Sequence, residues 1–398
     1  MASCLFVVYD RVLAVDGPGG GSAAQYSRLR SLAELGHDVH LWHYAYSVGR
    51  VAFDNYYANH REQWDDVQSL CASVELSTYP DEPSLVARIA NRALNTTRTG
   101  WIANPVVRFN VARDYERLLD RFGPDLVWAE NVGPGQVTTL RDRAPIVYSH
   151  HDWRSRLRAD PHAEQSTTVR QQREEERIAR AADAVVSGSA VECADLEHVG
   201  CTNVHYLPVA YAERSVGEPD VVRAPGIVHL GSLSTTASRV GLGAFVDKVV
   251  PHLGKSSDLV TVIGDTSAAP TALASALRHV RCLGFVDDLS SVLLPYDIHV
   301  IPWDQPTGQR TRAVAAMQHR QVIVAVSAGV ACFPELEDGV NCRLVARVDD
   351  MAPVILELLG DIAQRRALGN GAAATYDRSF TIEALRSRYA TVIDSVVS

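Results

Sequence analysis

The residues of this 398-residue chain best placed to do chemistry fall in a few short stretches. Arg310 and Arg312 stand two apart in IPWDQPTGQRTRAVAAMQHRQVIVAV, residues 301–326. The stretch reads as strand, polar turn, helix, strand. Ile298–Pro302 is an apolar run closed by proline, a helix is expected from Thr307 and Gly308 to about Met317, and QVIVAV is β-branched. A helix start offers free N–H groups and the positive end of the macrodipole, so it attracts anions. Cations in its first turn run against the dipole preference. They point to an anion shared between arginines and helix, for which a diphosphate is the obvious candidate. Read without a ligand, the stretch is an ordinary βαβ unit with a solvated basic helix start.

A second group is the glycine run Gly17, Gly19, Gly20 and Gly21, before a helix expected from about Ser22 to Leu35. Glycines let backbone approach a ligand closely at a helix N-terminus suited to phosphate. Ser22 occupies the sixth position of G-x-G-x-x-G, so the dinucleotide fingerprint fails; the bland alternative is a flexible turn. The third group is His150-His151-Asp152, ending the strand APIVYSHHDW. A histidine at the carboxyl end of a parallel strand faces the ligand crevice, where its pKa permits hydrogen bonding or proton transfer. Neighbours on a strand face opposite ways, so one of the two reaches a ligand. Otherwise both are structural and cap the next helix.

The elements that must position these groups alternate along the chain. Strands are expected at Cys4–Tyr9, at DVHLWHY, at Asp125–Asn131, at Ala184–Val186 and in CTNVHYLPVAY, ending at Pro208. Tyr26, Leu29, Leu32 and Leu35 stripe the first helix, and Gly36 is its stop signal. Polar and aromatic helical patterns fill residues 51–122, and REEER reads as a solvated helix face. After the polar run 211–225, strands are expected at Ile227–Leu230 and Leu259–Asp265, and the terminal helix Thr381–Val397 carries Leu385, Tyr389, Val392 and Ile393 on one stripe.

Such length implies two domains, and 46% hydrophobic with 21% charged residues is an ordinary globular composition. A net charge of −9 argues against a nucleic-acid surface. The seven cysteines, Cys4, Cys71, Cys193, Cys201, Cys282, Cys332 and Cys342, show no C-x-x-C and read as reduced thiols of a cytoplasmic protein. MASCLFVVYDR reads as a first strand and not a signal peptide, and no apolar run reaches membrane-span length.

TGQRTRAVAAMQHRQVIVAVSAG is similar to the nucleotide-binding signature of GT-B glycosyltransferases of the retaining family 4 type, T-G-x-R-x-K-x-x-E-A-x-A-x-G-x-P-V-V-A-T. The match places Arg310 at the phosphate-binding arginine, Arg312 at the basic position after it and Gly308 in the turn. The donor-ribose glutamate falls at Ala315 and an earlier acid at Thr307, so both carboxylates are missing. GGGSAAQYSRLRSLAELGHDVHLW resembles the family's glycine loop, implying that Gly19, Gly20 and Gly21 lie beside the transferred sugar and acceptor. The strand ending in His151-Asp152 resembles the family's, implying that His151 is the catalytic-cleft histidine. GIVHLGSLSTTASRVGLGAF resembles the second-domain opening, where Ser232 replaces an arginine and Val240 or a neighbour a lysine. Gly231, Ser232 and Arg239 remain as phosphate candidates there. VRCLGFVDDLSSVLLPYDIHVIP follows the family pattern in which the chain at Gly284, Phe285 and Val286 holds the base. Asp287 or Asp288 reads as an N-cap, a bound metal being the sharper alternative. FPELEDGVNCRLV matches D-G-x-N-x-x-L-V.

The resemblance implies an α/β GT-B fold with two Rossmann-like domains facing a cleft. The expected bounds are an acceptor domain 1–210, a linker 211–225, a nucleotide-sugar domain 226–378 and a helix 379–398 returning to the first domain. The expected activity is retaining transfer of a sugar from a GDP- or UDP-type donor to the hydroxyl or thiol of a small molecule, in specialised-metabolite biosynthesis. No cofactor and no metal are expected. The expected partners are the nucleotide sugar and the acceptor, without nucleic acid or strong membrane association and with a homodimer left open. A non-catalytic binding or partner subunit, or a sugar-nucleotide epimerase or hydrolase, are the rival readings. A nicotinamide oxidoreductase ranks last.

Overall fold

The computed structural model describes residues 1–14, 20–79, 105–140, 143–153, 165–211, 214–219, 223–234, 236–286 and 288–397. Gly17, Gly19 and Asp287 lie outside them. Strands β1 (Ser3–Tyr9), β2 (Asp38–Tyr46), β3 (Ser73–Tyr79), β4 (Leu126–Glu130), β5 (Ile146–His150), β6 (Ala184–Ser187) and β7 (Val204–Tyr206) form one sheet, ordered 3-2-1-4-5-6-7. Strands β8 (Ile227–Leu230), β9 (Val260–Ile263), β10 (Arg281–Cys282), β11 (Ile298–Ile301), β12 (Val322–Val326) and β13 (Cys342–Val345) form a second, ordered 10-9-8-11-12-13. Every strand pair in both sheets is parallel. Parallel strands covered on both faces read as unbroken apolar runs, and β4, β5, β11 and β12 are buried at every residue.

In each sheet the order reverses beside its first strand, between β1 and β4 and between β8 and β11. Ligands bind outside the carboxyl ends of strands at such switch points. Those ends carry Asp10 and Asn131 in the first sheet, Gly231 and Pro302 in the second. Tyr26, Leu29 and Leu32 of the Gly20–Glu34 helix pack on the first sheet, joined by Leu385, Tyr389, Val392 and Ile393 of the terminal helix Ile382–Val397. The second sheet buries Phe245, Val300, Val324, Met351 and Ile355.

The structure departs from the sequence reading in three of its elements. REEER, read as a solvated helix face, buries Glu174 and Glu175. β3 lies in a region read as helical; as a half-exposed edge strand, SVELSTY carries too weak an apolar alternation to announce itself. The helix expected from Thr307 begins at Thr311, with Arg310 as N-cap and residues 302–310 as an ordered turn. That turn includes Gly308 at φ 63°, a left-handed backbone suited to glycine. Arg320 has φ 55° where the family signature has glycine; its Nε donates to the Val216 carbonyl and its Nη1 to Asn370 Oδ1. Those bonds hold a conformation that a side chain otherwise resists.

Candidate active site

β5 ends on His150, and His150 and His151 both line the same cleft cavity, where the alternation of a strand would have left only one of them. His150 is buried with its Nε2 3.5 Å from Glu192 Oε2, and its ring packs on Trp153. His151 turns to the cleft, where its Nε2 donates to Glu130 Oε2 at 2.6 Å. Glu130 ends β4 at the switch point and is wholly buried, accepting from Trp128 Nε1 at 2.7 Å and lying 3.4 Å from Arg28 Nε. A carboxylate gripped by two partners fixes the ring, and with Nε2 protonated, Nδ1 is left as an acceptor.

The Gly20–Glu34 helix aims its N-terminus at the start of the Thr311–Gln318 helix. A Cβ on Gly20 would lie 2.4 Å from Thr311 Oγ1, so the close approach of the two helix starts suits glycine there; one on Gly21 would meet only the guanidinium of Arg11, which can swing aside. Two positive helix ends therefore meet across the cleft, with Arg11, Arg310 and Arg312 around them. Arg312 is half-buried, its Nη2 donating to Ser238 Oγ at 2.7 Å and its Nη1 lying 3.4 Å from His229 Nε2. Burial, then the charge of Arg310, pulls Arg312 down to about 9, and burial with Arg312 holds His229 well below the usual histidine range. Arg310 donates to the Thr307 carbonyl and stacks its guanidinium over Trp303 at 5.7 Å. Neither arginine forms an ion pair with a described residue. A buried cation without a counter-ion is costly, and here helix dipoles of the same sign add to the cost.

Two cavities meet at Arg312. One, of about 590 Å³, is lined by Gly20, Gly21, His151, Gly308 and Arg310, with Arg312 at its edge. The other, of about 640 Å³, is lined by Gly231, Ser232, Phe285, Val286 and Ala315, again with Arg312. Arg312 thus stands between them, and a Cβ on Gly231 (φ 150°) would lie 2.9 Å from its Nη2. The sequence reading gave Arg310 the direct role and Arg312 a flanking one; lining both cavities gives Arg312 at least equal access. Arg239, in the first turn of the Thr236–Lys248 helix, donates to the carbonyls of Leu233 and Ser234 in the loop before it. Asp288 caps a short turn, accepting from Ser290 N at 2.9 Å. Among the described residues no group of three or more His, Cys, Asp and Glu side chains converges as a metal set would, and no helix is long and apolar enough to cross a membrane.

Glu130, Arg28, Arg11 and Glu192 were missed in the sequence. Glu130 alone left a signal, an acid closing the apolar run LVWAE. Glu192 Oε1 accepts from Gly308 N at 2.8 Å, joining the two halves across the cleft beside Ala190 N to the Cys332 carbonyl at 3.0 Å. Burial, with Asp152 nearby, raises Glu192 to about 8 against opposing bonds from Gly308 and Trp153 and the charge of Arg310. The folded state therefore holds a proton that the unfolded chain releases near pH 4.5. Its stabilisation is complete below that value and is lost as pH rises through about 8. Thermal unfolding from pH 5 to 9 should show wild type losing stability steadily from pH 5 to about 8 and levelling off above it, with Glu192→Gln flatter over the same range. Parallel profiles would mean that Glu192 is already ionised.

Two facing parallel-sheet α/β domains with a cationic cleft between them are the architecture of the GT-B class of sugar-transfer enzymes. The family model described as Glycosyltransferase Family 4 matches residues 18–210, and that described as Glycosyl transferases group 1 matches residues 224–361. The chain is a GT-B glycosyltransferase and resembles family 4, as the sequence motifs implied. Among solved structures it is similar to HepE of Anabaena in complex with UDP and glucose, at 17% identity and TM-score 0.66, over 99% of this chain and 100% of that one. A sucrose-phosphate synthase from Thermosynechococcus elongatus matches at 14% identity and TM-score 0.69, over 99% and 98%. TarM of S. aureus matches at 11% and 0.67, over 99% of each chain. No curated protein sequence matches the chain significantly.

Proposed function

We propose that this enzyme transfers a sugar from a nucleoside diphosphate sugar to a hydroxyl or thiol of a small acceptor, with retained anomeric configuration. The observation that carries the reading is the pair Arg310 and Arg312, cations without an ion pair to any described residue, at a helix start where Arg312 lines both cavities and Arg310 the His151 one. A diphosphate bridging nucleoside and sugar has the charge and the two-sided shape for that junction. The nucleoside would occupy the Phe285 cavity, and sugar and acceptor the His151 cavity. HepE, of the same fold, was solved in complex with UDP and glucose, which supports a nucleotide-sugar donor.

In the reaction the bond between the anomeric carbon and the diphosphate oxygen breaks, and the acceptor oxygen or sulfur bonds that carbon. The acceptor proton passes to the departing diphosphate or to solvent. Charge grows on the leaving group, where Arg310, Arg312 and helix N–H groups are already oriented; such fixed electrostatics are usually the largest contribution to catalysis. His151, held by Glu130, organises the sugar face. The reading includes no metal, so activity should persist in excess chelator; loss restored by magnesium or manganese would overturn that part.

A thermal-shift panel of UDP, GDP, dTDP and ADP tests the donor. A nucleotide at about 100 times its dissociation constant should add roughly 2.7 kcal/mol of stability, visible as a raised melting temperature for at least one of the four. No shift with any would sink the reading. Donor binding without turnover would favour a binding subunit, and donor breakdown without acceptor a hydrolase or epimerase.

A further inference from the structure

The nucleoside cavity holds a buried polar side chain that the reading above leaves without a role. His319 lines it with 7% of its surface exposed, and neither ring nitrogen has a hydrogen-bond partner. Buried polar groups in native proteins are nearly always bonded, so such an orphan points to a ligand. The neighbouring acid does not satisfy it: Asp288 Oδ1 accepts from Ser290 N at 2.9 Å and from Ser290 Oγ at 2.6 Å. Burial lowers the ring to about 4, with Asp288 opposing, so near neutral pH it offers one N–H donor and one acceptor.

Its place along the helix says which part of a ligand it meets. Ala315 and His319 are four residues apart and share a face. Helical side chains lean toward the N-terminus, so the imidazole lies over the turn that begins at Ala315. Ala315 itself offers only a methyl group. Arg312 is three residues earlier, about 4.5 Å along the axis. A ligand anchored by its anion at Arg312 therefore meets this imidazole roughly one turn further along. In a nucleoside diphosphate the group next after the phosphates is the ribose, with its vicinal hydroxyls; the base lies beyond, toward Phe285 and Val286.

We propose that His319 binds the ribose hydroxyls of the donor and makes the enzyme selective for ribonucleotides over their deoxy counterparts. The inference rests on the donor reading above. Because a neutral ring accepts from one hydroxyl only, selectivity should concentrate on a single position of the sugar.

The test is calorimetric titration of wild type, His319→Ala and His319→Gln with UDP, 2′-deoxy-UDP and 3′-deoxy-UDP, or the GDP set if guanine is preferred. Wild type should bind the ribo form about tenfold more tightly than one of the deoxy forms. His319→Ala should bind all three alike, at the weaker level. His319→Gln, which keeps a donor and an acceptor, should retain part of the preference and guards against a misfolded alanine variant. An unchanged preference in His319→Ala would overturn the proposal. So would equal weakening of all three forms, which marks a packing role or a contact to the base. Failure of wild type to bind any nucleoside diphosphate would instead remove the donor reading on which the proposal rests.

Discussion

Replacing His151 with alanine is expected to lower turnover by about 10²–10³-fold, the loss typical of removing one oriented hydrogen-bonding group from a catalytic site. Nucleoside diphosphate affinity should hardly change. The expectation follows from the grip on the ring. Glu130 holds Nε2 at 2.6 Å, and Glu130 is itself fixed by Trp128 and Arg28 without access to solvent. His151 faces the sugar-side cavity and stands apart from the nucleoside cavity across the arginine pair. Glu130→Gln should keep the ring near its place but alter which nitrogen carries the proton, lowering kcat more than it raises KM. His150→Ala should act mainly on stability, because His150 packs against Trp153 and Glu192 in the interior. Steady-state kinetics with parallel calorimetry decide between these. Collapse of donor binding with turnover of bound donor intact would remove His151 from catalysis, and an equal loss from His150→Ala would move the role to that neighbour.

The second large effect concerns Arg312. A hydrogen bond to a charged group contributes roughly 1.5–3 kcal/mol, or about one to two decades of affinity. Arg312→Met should therefore weaken nucleoside diphosphate binding by that amount while free nucleoside binds almost as before. The free protein should be no less stable, because an apolar side chain of similar length replaces a half-buried cation that has no ion pair with a described residue. Arg310→Ala should lose affinity comparably or less, since its guanidinium also rests on Trp303 and the Thr307 carbonyl. Equal losses for nucleoside and diphosphate, or none for either, would make the arginines scaffolding. A lower melting temperature for Arg312→Met without ligand would show that its bonds to Ser238 and His229 outweigh its desolvation.

What the residue order determined by itself is the class of fold and the location of the cleft. Unbroken apolar runs such as CLFVVY and VIVAV can only be parallel strands covered on both faces or buried helix, and the helices between them choose the former. The motif order along both halves then placed Gly20, Gly21, Gly231, Gly308 and the two arginines near switch points, because a loop after a parallel strand has nowhere else to go. Local patterns of this kind depend on near neighbours, which a sequence displays directly. The partners of the chemistry are of another kind. Glu130 meets His151 from 21 residues away, and Glu192 meets Gly308 from 116. His319 faces Asp288 across the nucleoside cavity. How far Arg312 is withdrawn from water is decided by what packs over it, and that comes from Gly231, Ser238 and His229, far upstream. Burial and closeness in space set those charges and proton positions: most of these contacts form as each sheet folds with its own helices, and the bond of Glu192 to Gly308 only when the two halves meet.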